Sequence, residues 1–225
     1  MSNKYGQQIV KTARVRKLLV ASLVLACVFS TINIATAQTV TPPPTPTLIT
    51  PPEGNTAFLV GHATGSQGYT CLPASTGGTS WTVNPARPEA TLFLTFFGQP
   101  VQIITHFASV NANPNGVLLP VSLGGNATWQ SSLDSSKVWA AVIGPHSIPA
   151  GSDPASCPNS GSIPCLLLQS IGNQHGPTGG KLLAKTTFIQ RLNTKGGAAP
   201  TTACAVGQTQ LVPYTADYVF FHANK

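Results

Sequence analysis

The sequence predicts a mostly β protein, an antiparallel β-sandwich or closed β-barrel built as a single disulfide-braced domain. Glycine and proline interrupt the chain roughly every ten residues, and β-branched and aromatic residues fill the intervals, the pattern of strands joined by turns. No stretch carries the capped, 3.6-residue periodicity of a long helix. Four cysteines follow the N-terminal region, Cys71, Cys157, Cys165 and Cys204, an even number suited to bridging in an oxidising compartment.

Residues 1–37 read as a secretory signal peptide. Lys4, Lys11, Arg14, Arg16 and Lys17 precede the apolar run LLVASLVLACVF, and Ala35-Thr36-Ala37 forms a small-residue cleavage site. Such a run is shorter than the roughly 20 residues a membrane-spanning helix needs. The mature chain is therefore expected to start near Gln38 and to be secreted, periplasmic or envelope-associated, with no transmembrane segment. A second route competes: Leu23-Val24-Leu25-Ala26-Cys27 resembles a bacterial lipobox, which would place a lipid anchor at Cys27. Apolar residues continue past that cysteine as Val28 and Phe29, which favours cleavage after Ala37.

Removing the leader changes the charge. Five of the twelve Lys and Arg residues and none of the five acids lie in residues 1–37, so the formal +7 falls to +2, seven basic against five acidic. The remaining cations are scattered, with no basic stripe interleaved with aromatics, so no nucleic-acid partner is expected.

The Pro/Thr-rich stretch TVTPPPTPTLITPPEG places an extended, semi-rigid linker over residues 38–54. One β-rich domain then occupies residues 55–225, with strands expected over 56–64, 68–72, 80–84, 90–96, 101–110, 137–143, 165–171, 182–192 and 217–223. The turn-rich stretch CPNSGSIPC favours a Cys157–Cys165 bridge among the three possible pairings, leaving Cys71 to pair with Cys204.

The segments GSQGYTC, Trp81, PEATLF, His106-Phe107, TWQSSLDSSKV, IPCLLL, FIQRLNTKGGAAPTTAC and VPYTADYVFF, in that order, resemble an uncharacterised family of secreted bacterial and fungal proteins, domain of unknown function 3455. The resemblance implies the fold unit and export, and no activity. Some fungal members carry the label malate dehydrogenase. A nicotinamide enzyme needs a βαβ unit with a glycine-rich turn after its first strand, and this sequence has neither, so neither that activity nor a cofactor is expected. Two departures stand out: Cys165 replaces a tryptophan after Ile-Pro, and Asp134-Ser135-Ser136 replaces Asp-Gly-Ser.

FIQRLNTKGG reads as a strand with Phe188 and Gln190 on one side and Ile189 and Arg191 on the other, followed by a turn over residues 193–197. A phosphate-binding loop is excluded, because GPTGGKL puts Leu182 where a serine or threonine must stand. Arg191 is either a packed structural group or an anion receptor. The catalytic candidates are His106 and Asp134, which fall in segments that match the family. His62, His106 and His222 all fall in expected strands and are weak metal candidates, with no H-x-H or H-E-x-x-H spacing. Trp81, Trp129 and Tyr69, with Trp139, Tyr214 and Tyr218, are large enough to line a stacking groove, and Gln190 and Arg191 complete the binding candidates. The scarcity of acids and the absence of a G-x-S-x-G elbow favour a non-enzymatic module binding a glycan, small molecule or protein partner. The alternative is a metal- or His/Asp-dependent enzyme centred on His106 and Asp134.

Overall fold

The computed structural model describes residues 40–111 and 125–224, leaving aside the side chains of 85–87. The leader, its cleavage site after Ala37 and the lipobox Cys27 lie outside the described residues. Nine strands occur among these residues: β1 Asn55–Pro73, β2 Thr79–Phe96, β3 Gln99–Ser109, β4 Asn126–Ser131, β5 Lys137–Ala141, β6 Ser147–Ile148, β7 Cys165–Gln174, β8 Thr186–Gly196 and β9 Thr209–Ala223.

Eight of them close into an antiparallel barrel in the order β5-β4-β3-β2-β1-β9-β8-β7, with β7 returning to β5 through Lys137↔Gln174 to Ala141↔Gln169. Closure removes the unpaired edges that an open sheet would expose. The short β6 adds to β7 beside Cys165 and Leu166. Of the two architectures the sequence allows, the barrel is the one formed.

Period-two alternation explains why this sequence fills a barrel. On β9, Tyr214, Ala216, Tyr218 and Phe220 point inward and join Leu92, Ile104, Trp129, Leu168 and Ile189 in the core. The intervening Val219 and Phe221 point outward, yet they too are buried, in a second cluster with Ile49, Leu167 and Leu192. That outer cluster is roofed by the chain preceding β1. The Pro/Thr-rich stretch is thus not a free spacer along its length: a single 3-10 turn at Thr47–Ile49 buries Ile49 completely, and Val40 packs against the same cluster. Burying one such side chain stabilises by about 1.5–3 kcal/mol, which offsets part of the entropy of ordering the strap.

The longest strands run through glycines where the sequence reading broke them. The expected strands 56–64 and 68–72 are one, β1, and 80–84 and 90–96 are one, β2, each long enough to coil round the barrel. At Gly65 a Cβ would lie 2.0 Å from the Glu89 carbonyl oxygen, so the residue marks close approach of β1 and β2, not a turn. The expected strand 182–192 begins only at Thr186, because Lys181 to Ala184 form a hydrogen-bonded turn. At its other end, the turn expected over 193–197 is instead a bulge. Asn193 takes φ 51° and the register shifts between Leu192 and Lys195, but pairing to β9 continues to Gly196↔Tyr214.

Both expected bridges are present. Cys71–Cys204 ties the end of β1 to the β8–β9 loop, and Cys157–Cys165 closes the loop ahead of β7. No helix among the described residues is long and apolar enough to cross a membrane.

Candidate functional site

One end of the barrel, where β1 ends and β9 begins, holds a cavity of about 300 Å³. Two rows of cross-strand neighbours build it. Leu166, Arg191 and Tyr218 pair across β7, β8 and β9, and His106 and Trp129 pair across β3 and β4, with Ala90 of β2 opposite His106 but outside the cavity wall. Gln67, Pro88, Ala127, Ala140 and Leu168 complete most of the wall. Small residues on the same inner face, Ala63 and Ala90 among them, leave room for the large rings opposite.

The inward Ile189/Arg191 pair follows the alternation read from the sequence, and it brings a guanidinium into this apolar setting. Arg191 Nε and Nη2 both donate to the Pro164 carbonyl, at 3.1 and 2.9 Å. No carboxylate pairs with it: the one ion pair among the described residues joins His62 to Asp217, at 2.6 Å.

His106 is 4% exposed and stacks on Trp129 at a centroid distance of 4.1 Å and an interplanar angle of 9°. Its Nδ1 lies 2.9 Å from the Thr128 carbonyl oxygen, which only accepts, so Nδ1 carries the proton. Burial lowers the His106 pKa from 6.5 to about 4; Arg191 pushes the same way and the Thr128 bond opposes both. The imidazole is therefore neutral at pH 7, and Arg191 is the cation among the described cavity residues. The Trp129 indole N–H, fully buried, has no hydrogen-bond acceptor among the described residues. The Tyr214 and Tyr218 hydroxyls bond each other at 3.0 Å, and burial together with Tyr218 drives the Tyr214 pKa far above its ordinary value. Burial likewise raises that of Tyr69, whose hydroxyl donates to Gly197 O at 2.6 Å, against an opposing pull from Arg191.

The other sequence candidates fall elsewhere. Asp134 sits in the β4–β5 turn, where Oδ1 accepts from the Ser136 N–H and hydroxyl and Oδ2 accepts from Leu182 N–H at 2.8 Å. Burial pushes its pKa up, but these donors and Ser131 outweigh that and hold it well below the carboxylate range. Its partners share no residue with those of His106, so the two candidate catalytic groups occupy separate hydrogen-bonded settings. Gln190 faces outward, its Nε2 donating to the Ile49 carbonyl at 2.7 Å, which makes it the polar anchor of the N-terminal strap. Trp81 Nε1 donates to Thr202 O at 3.0 Å and braces the loop held by Cys204. Trp139 Nε1 donates to Ser109 Oγ at 2.9 Å.

The three histidines do not converge. His62 bonds Asp217, which also accepts from Asn193 at 2.8 Å; His222 bonds the Ala223 carbonyl at 3.0 Å and lies by Phe58; His106 lines the cavity. Among the described residues no group of three or more His, Cys, Asp or Glu is placed to hold a metal ion. Gln67, Leu166 and the small cavity residues carried no sequence signal of their own; only the in-out alternation of their strands points to them.

Residues 51–222 match a family model described as protein of unknown function (DUF3455). No curated protein and no solved structure matches the chain.

Proposed function

Since the chain belongs to the DUF3455 family, whose description assigns no activity, we propose from the cavity itself that the domain is an exported small-molecule-binding barrel. One observation carries this reading. A cavity of about 300 Å³, at the lower end of ligand-site sizes, combines apolar walls with a guanidinium lacking a carboxylate partner among the described residues. Trp129, which lines the cavity, also has a buried N–H without an acceptor among the described residues, a state it shares with Thr186 Oγ1 and Gln190 Oε1 elsewhere. The enzyme alternative loses support from the separate settings of His106 and Asp134. Export rests on the leader sequence with cleavage after Ala37, and the alternative, envelope attachment at Cys27, on the lipobox.

The test is native mass spectrometry of the protein purified from its own host, beside a denatured sample. Wild type should carry a non-covalent added mass that denaturation removes. Ala127→Trp, which fills the cavity from β4, should fold and lack it. Equal native and denatured masses for wild type would overturn the proposal.

A further inference from the structure

The chemistry of the cavity also constrains the ligand, and this step rests on the binding reading above. We infer that the barrel recognises a small organic monocarboxylate with a flat or short apolar body, held by the free edge of Arg191.

A guanidinium offers five N–H donors in a planar fork. The Nε and Nη2 edge of Arg191 is occupied by the Pro164 carbonyl, which fixes the plane of the group. The end-on edge, formed by Nη1 and the second N–H of Nη2, makes no hydrogen bond to any described residue. That edge presents two parallel N–H groups, the geometry that a carboxylate accepts bidentately. Arg191 is part-buried, and against apolar walls a carboxylate pairs with its charge more strongly than in open water.

Charge count selects one carboxylate over a phosphate ester or a dianion. Among the described side chains that line the cavity, Arg191 is the sole Lys or Arg, and neutral His106 adds no second charge. Tyr218 and Leu166 flank Arg191 on the neighbouring strands, and the stacked rings of His106 and Trp129, with Leu168 and Ala140, line the rest of the cavity. These suit a planar ring or a short alkyl chain. A free sugar, with many hydroxyls and no charge, would leave most of its donors unpaired against such walls.

The experiment is isothermal titration of the full mature protein with 3-phenylpropionate and, as the uncharged counterpart, 3-phenyl-1-propanol. Wild type should bind the acid at least roughly tenfold more tightly than the alcohol, the scale of one charge-assisted hydrogen-bonded pair. Arg191→Gln should abolish that ratio while keeping alcohol binding. Arg191→Lys, which keeps the charge and loses the fork, should fall between. The wild-type ratio alone is decisive if Arg191→Gln folds poorly, and Ala127→Trp should block both probes. Equal binding of acid and alcohol, both blocked by Ala127→Trp, would overturn the carboxylate inference and leave the binding barrel standing. Failure of both probes would also overturn it, and the native mass comparison would then decide separately whether the barrel binds anything.

Discussion

Lowering the pH should destabilise this protein through His106 by an amount the structure allows us to estimate. The buried imidazole has its pKa lowered from 6.5 to about 4. The unfolded chain therefore takes up a proton near pH 6.5 that the folded chain refuses until about pH 4, and folding stability falls as pH falls through that window. Each unit of separation is worth about 1.4 kcal/mol, which gives a loss of about 2 kcal/mol between pH 7.5 and 5, rising to about 3 kcal/mol below both values. Staying above pH 5 avoids the carboxylates of Asp134 and Asp153, whose lowered values place their titration below it. Urea unfolding followed by circular dichroism should be run at several pH values for wild type and His106→Gln, a variant still able to donate to the Thr128 carbonyl. The wild-type minus variant stability should drop by about 2 kcal/mol across the window. A difference that stays flat within about 0.5 kcal/mol would refute the assignment of a neutral, proton-refusing imidazole at this position.

Two further outcomes follow from the packing. In the chain-entropy account, Cys71–Cys204, with a sequence separation of 133, should contribute about 5 kcal/mol, and Cys157–Cys165, with a separation of 8, about 2.5 kcal/mol. Paired Cys→Ala variants compared by urea midpoint should show the long bridge costing more, and equal costs would argue against a loop-entropy origin. Ile49→Ala should destabilise by about 2–5 kcal/mol in thermal or urea unfolding, because Ile49 is wholly buried in the outer cluster. A loss below about 0.5 kcal/mol, the level of an exposed site, would mean that the strap does not contribute to the fold.

Much of the fold was legible because β patterning is local. The run Asp217 to Ala223 announces a strand, although β9 begins earlier, at Thr209, and CPNSGSIPC announces its own bridge. Three features were not legible, each for a physical reason. β4 is short, at Asn126–Ser131, and its polar sequence NATWQS hides an inward Ala127/Trp129 face behind an outward polar one. Gly65 looks like a breaker, and only the partner strand explains it as a point of close contact. The strap at residues 40–54 has the composition of a linker, and its single buried isoleucine gives no periodicity to read.

The candidate site was legible in its parts and not in its assembly. His106, Arg191, Trp129 and Tyr218 could each be named from sequence, but their convergence depends on strand registers across six strands. Asp134 and Gln190 looked equally functional by residue type. Their hydrogen bonds assign them to a turn and to the strap instead.

The pairing of β1 with β9, from Asn55↔Ala223 to Thr70↔Thr209, has a consequence for how the barrel forms. These are the first and last strands of the barrel, so its longest seam joins partners separated by nearly the whole domain. Emerging from the ribosome or across a membrane, β1 to β8 can meander into a curved sheet, but β1 stays an open edge until β9 arrives. Closing that seam pays the largest loop entropy of the fold in a single late step. Until then the barrel's inner face, including the wall of the cavity, is wet, so a ligand has a site only once the last strand is in place.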